Sequence, residues 1–171
     1  MVMGWIVLPL GVFLYLRFGY VPVAVNGPVI PFEQLLAGAA VEAKIAREAP
    51  VQAGIPATDE NLVLGAKIYK DRCVECHGLP NLPRSAAAKG MFPDPPQFFE
   101  RKVPGVDPVG QNYWVVANGI RLTGMPGYKQ TLTDQQIWQV SQFLSNRGKL
   151  PEAAARELDA GKPKPGSPTN F

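Results

Sequence analysis

Cys73-Val74-Glu75-Cys76-His77 contains both cysteines and the only histidine of the 171-residue chain. The spacing C-x-x-C-H is that of covalent haem attachment. Two thiols one helical turn apart reach the two vinyl groups of the ring, and the adjacent imidazole lies beneath it to take the iron. A thioredoxin-like C-x-x-C needs a βαβ setting, whereas the residues before Cys73 have helical periodicity and follow no strand run. Zinc needs about four ligands, and the chain has no second pair of Cys or His to offer. A structural disulfide between cysteines three positions apart would be an unusual use of them. One motif means one haem.

Upstream of the motif, Thr58 or Asp59 can cap a helix whose positive end Glu60 favours. Leu62, Leu64, Ala66, Ile68 and Tyr69 give that helix its apolar surface. Gly65 costs a helix roughly 1 kcal/mol against Ala, so its place there points to a close approach by a second helix. That second helix is predicted downstream. Thr133 and Gln136 form a capping box, and Ile137, Trp138, Val140, Ser141, Phe143 and Leu144 follow at helical intervals. Val140 and Phe143 packed against Gly65 and Tyr69 would close a domain around one haem, with Trp138 serving in packing.

Between these helices the chain is rich in Pro and Gly. Asn81 to Pro83 and Met91 to Pro96 exclude long helices and central strands, and Ser85 to Lys89 allows one or two turns at most. Phe92, Phe98, Phe99, Tyr113, Trp114, Val115 and Val116 are available to line a haem pocket. With His77 used, the second axial position falls to a thioether, because no other histidine exists. Met125, in Gly119-Ile120-Arg121-Leu122-Thr123-Gly124-Met125-Pro126-Gly127, is preferred, since its flanking glycines let backbone approach the ring. The alternatives are Met91, only 14 residues after His77, and an open site.

Residues 58–150 thus resemble the class I cytochrome c family, on C-V-E-C-H-G after the Gly65/Tyr69 helix and G-M-P-G before a terminal amphipathic helix. The resemblance implies an all-α fold wrapped around one covalent haem c, thioether bonds from Cys73 and Cys76, and axial His77 and Met125. It implies one-electron transfer with no catalytic acid, base or nucleophile. It also implies a proline carbonyl supporting the proximal imidazole, with Pro80, Pro83, Pro93, Pro95 and Pro96 all candidates.

The remaining segments set the context. Val2 to Val25 is apolar except for Arg17, and about 24 residues at roughly 1.5 Å each would cross a hydrocarbon core of about 30 Å. Residues 1–25 are therefore expected to be a single-pass transmembrane helix, with Arg17 snorkelling beside Tyr15 and Tyr20. The alternative is a cleaved signal peptide, which lacks its basic start and its small-residue cleavage site. Residues 26–57 are expected to be a linker with a short helix at about 32–48, and residues 151–171 a proline-rich tail.

A net charge of +3 with no run of like charges sets nucleic acid aside. From Leu79 to Thr131, Arg84, Lys89, Arg101, Lys102, Arg121 and Lys129 face only Asp94, Glu100 and Asp107, an excess that suits an acidic redox partner. The expected role is a membrane-tethered carrier of single electrons between respiratory or photosynthetic complexes. A quinol:cytochrome c reductase and a terminal oxidase are the kinds of partner envisaged. Because c-type attachment takes place outside the cytoplasm, the haem domain is placed on the periplasmic side of the inner membrane. The alternatives are a fixed haem subunit of a membrane oxidoreductase and, more remotely, a haem-based sensor or gas-binding protein.

Overall fold

The computed structural model describes residues 3–100 and 107–159, which are helical and irregular with no strand among them. The chain divides into two compact units, one ending at Ala39 and one beginning at Ala40.

The first unit holds α1 (Met3–Arg17). Its 15 residues rise only about 22 Å. The helix stops because Gly19, at φ +74°, closes a Schellman motif: Tyr20 N–H donates to the Tyr15 carbonyl and Gly19 N–H to that of Leu16. The rings of Tyr15 and Tyr20 stack over the turn, 6.0 Å apart. The transmembrane helix expected over residues 1–25 is therefore not supported, since no described helix is long and apolar enough to cross a membrane. The apolar side chains from Ile6 to Phe18 are nevertheless all exposed. The short helix expected at 32–48 is α2 (Glu33–Glu48), which straddles the division between the units and has no buried residue.

In the second unit α3 (Asp59–Arg72) begins at Thr58, whose Oγ1 accepts from Asn61 N–H at 3.3 Å. The motif follows it in α4 (Val74–His77), and α5 (Ala86–Lys89) is a single turn. Next come α6 (Val109–Asn118) and α7 (Asp134–Ser145). The capping box of α7 is complete: Gln136 N–H donates to Thr133 Oγ1 at 3.2 Å, and Thr133 N–H donates to Gln136 Oε1 at 2.8 Å. Helices α3 and α7 cross at Gly65, where a Cβ would strike the Gln139 carbonyl and come within 2.7 Å of Phe143 Cβ. Tyr69 and Phe143 meet beside the crossing, 5.3 Å between ring centroids, and both are fully buried.

Two elements, α6 and α8, differ from the expectations. Helix α6 was not foreseen, because Pro108, Gly110 and Asn112 are weak helix signals; it forms by packing on α7, where Tyr113 stacks on Trp138 at 4.0 Å. The expected linker touches the domain at several points while staying largely exposed. Pro50 lies against Gly110, Gln142 Nε2 donates to the Ile55 carbonyl at 2.6 Å, and Trp114 Nε1 donates to Glu48 at 3.3 Å. Finally, the expected tail contains α8 (Glu152–Asp159), which buries Ala154 and Leu158 and sets Glu157 3.2 Å from Lys70 of α3. Residues 160–171, with the rest of that tail, and Arg101 and Lys102 lie outside the described residues.

Candidate haem site

The end of α3 delivers Cys73 as its last cap, and the single turn of α4 brings the motif together: Cys76 and His77 N–H both donate to the Cys73 carbonyl, at 3.2 and 2.9 Å. Burial, with Cys76 close by, pushes the Cys73 thiol up to about 12; burial also raises Cys76, aided by Glu75. Tyr69 ties the motif to α3 by donating its hydroxyl to the Gly78 carbonyl at 2.7 Å.

Of the five prolines left open by the sequence, Pro96 is the one whose carbonyl meets His77 Nδ1, at 2.9 Å. With Nδ1–H donating there, Nε2 is the nitrogen free to take a metal. Burial lowers the His77 pKa, partly opposed by the bond to Pro96, and so favours the neutral imidazole that ligation requires. Phe98 stacks on the ring at 4.8 Å.

Sequence reasoning missed the residue that places Pro96. Buried Gln97 donates through Nε2 to the Cys76 carbonyl at 2.8 Å and to the Pro95 carbonyl at 3.0 Å, pinning the proline run to the motif. Arg84 adds a second tie, to Asp94 at 3.0 Å. No sequence pattern marks Gln97 for this task.

Met125 stands in the loop after α6. Gly119, at φ +67°, ends the helix, and a Cβ there would lie 2.5 Å from Gly127 N, so the two strands of the loop touch backbone to backbone. Ile120 N–H donates to the Met125 carbonyl at 3.2 Å, and Met125 N–H donates to Thr123 Oγ1 at 3.1 Å. The loop then returns along α6, where Tyr128 and Lys129 N–H cap the Val116 and Ala117 carbonyls. Tyr128 reaches the motif side by donating its hydroxyl to the Arg72 carbonyl at 3.0 Å.

Both segments line one cavity with a mostly apolar wall. Cys73, Cys76, His77 and Met125 all contribute to its wall, and so does Met91, whose Sδ lies 3.2 Å from where a Gly124 Cβ would stand. Of the aromatic and aliphatic residues expected to line it, Phe98, Val115 and Val116 do. Phe99 instead packs on Tyr69 at 5.7 Å, and Tyr113 and Trp114 face Trp138 and Glu48. Phe92 is not in the wall, while Pro95, Pro96, Ile120 and Leu144 are.

This donor set fits a haem c: an apolar cavity, two thiols one turn apart, an oriented neutral imidazole, and thioethers on a separate segment. No cluster of three or more His, Cys, Asp or Glu suited to a bare metal ion occurs among the described residues.

Residues 60–144 match the family model for cytochrome c oxidase, cbb3-type, subunit III. A chain of the Kuenenia stuttgartiensis reducing HAO-like protein complex aligns at 24% identity and a TM-score of 0.46, over 57% of this chain and about half (49%) of that one. No curated protein matches the chain significantly.

Proposed function

Since residues 60–144 are a class I cytochrome c domain of the cbb3-type subunit III family, we propose that the protein carries single electrons through one haem c. Cys73 and Cys76 would hold it covalently, and His77 and Met125 would supply the protein ligands to its iron. The observation that carries this reading is the wall of one cavity. It brings the two thiols, the Pro96-oriented His77 and Met125 together from segments about fifty residues apart in sequence.

Bound haem supplies a one-electron iron couple that asks no acid, base or nucleophile of the protein. The chain's own residues set its conditions. A Met125 thioether favours the reduced state and raises the potential. The bond from His77 to Pro96 holds the imidazole plane, and the apolar wall formed with Val116, Phe98 and Leu144 excludes water. Haem staining on a denaturing gel tests attachment. The wild-type band should persist after boiling, and Cys73→Ser/Cys76→Ser should lose it; a wild-type protein that releases its haem on denaturation would refute the proposal.

Because c-type attachment takes place outside the cytoplasm, the haem domain would face the periplasm, and the exposed apolar residues around α1 would hold the protein against a membrane or membrane-embedded chains. A fixed-subunit reading is favoured by two observations: the uncovered apolar unit, and the family description, which names an oxidase subunit. Mild detergent extraction followed by native sizing separates the readings, since a carrier runs alone and a subunit comigrates with haem-free chains.

A further inference from the structure

Leu122 sits at the tip of the Met125 loop and is 94% exposed. Its φ is +62°, a left-handed conformation that bulky side chains rarely adopt and that Gly or Asn takes easily. The strain is imposed by the turn. Thr123 N–H donates to the Ile120 carbonyl at 3.3 Å, Thr123 Oγ1 donates to the same carbonyl at 2.7 Å, and Met125 N–H closes on that Oγ1. Residues on either side, Ile120, Thr123, Gly124 and Met125, line the haem cavity, so Leu122 projects from the rim of the site itself. Neither packing nor backbone preference accounts for a leucine there, because among the described residues it is almost fully exposed and it strains the turn. Residues held in sparsely populated backbone conformations cluster at functional sites.

We propose that Leu122 is the apolar anchor through which a redox partner docks at the haem edge, and that this partner offers an apolar recess with an acidic rim. The proposal rests on the electron-transfer reading of the cavity. Charge selects the partner. From Gly119 to Leu132 the chain carries Arg121 and Lys129 and no acid, both cations are exposed, and the nearby acid of the cavity wall, Asp94, is paired with Arg84. An apolar knob between cations meets a recess bordered by carboxylates, with the apolar contact giving affinity and the charges steering approach.

The test uses the haem-loaded full chain on gold electrodes coated either with carboxylate-terminated alkanethiol or with a carboxylate/methyl mixture, compared by voltammetry for wild type, Leu122→Asn and Leu122→Gly. Wild type should exchange electrons about five-fold faster on the mixed surface. Both variants should lose that gain while keeping the carboxylate-surface rate, the reduction potential and a thermal midpoint no lower than wild type. Variants that retain the gain, or a wild type without it, overturn the proposal. So does a Leu122-dependent affinity for phosphatidylglycerol vesicles or a Leu122-dependent dimer on sizing, which would assign the knob to lipid or to a second copy. A preparation showing no haem couple on either surface removes the electron-transfer reading itself, and this proposal with it.

Discussion

The two segments that carry the proposed axial ligands, His77 and Met125, are built by different means. The His77 side is held by side chains: Gln97 reaches two carbonyls, His77 reaches Pro96, and Arg84 reaches Asp94. The Met125 side is held mainly by backbone, with Gly119 pressed against Gly127 and residues 128–129 bonded back to the end of α6, and the Thr123 and Tyr128 hydroxyls add to it. A side-chain network fixes one atom, here Nδ1 of an imidazole, in direction. Close backbone contact instead fixes the path of a loop and leaves a flexible thioether to find its own geometry. The difference matches what each ligand needs: a ring must be oriented, whereas a thioether must be brought near.

Substitutions on the two sides should therefore fail differently. The largest effect is expected from Gly119→Ala, which adds a Cβ 2.5 Å from Gly127 N at a positive φ. It should cost about 3 kcal/mol in denaturant unfolding and weaken the methionine bond while the histidine bond holds. Gln97→Leu attacks the other side, leaving the Cys76 and Pro95 carbonyls without their donor. A loss of about 2 kcal/mol is expected, with altered imidazole resonances in the haem-bound NMR spectrum and an intact methionine signature. Thr123→Val removes one hydroxyl from the Met125 loop and should cost about 1 kcal/mol. If Gln97→Leu released the methionine first, or Gly119→Ala the histidine, the contrast between the two sides would be wrong.

The same contrast explains what the amino-acid sequence disclosed. The motif, the Thr58 and Thr133 caps and the Gly65 crossing are local or periodic signals, and each is found where those signals place it. Pro96 was one of five equal candidates because its selection depends on Gln97, a contact across 21 residues that no spacing rule encodes. Helix α6 was hidden by residues of poor helix propensity that tertiary packing overrides. Helix α8 was obscured by the prolines around it, although Ala154 and Leu158 are spaced one turn apart. At the amino terminus, counting apolar residues overlooked Gly19, whose left-handed turn ends α1. Leu122 carried no sequence signal either, since its oddity is conformational.

Met91 makes the axial assignment worth a direct measurement, because it lines the same cavity as Met125. The oxidised haem-loaded protein should show a sulfur-to-iron charge-transfer band that persists in Met91→Ala and disappears in Met125→Ala. A band that survives in Met125→Ala and is lost in Met91→Ala would contradict the account.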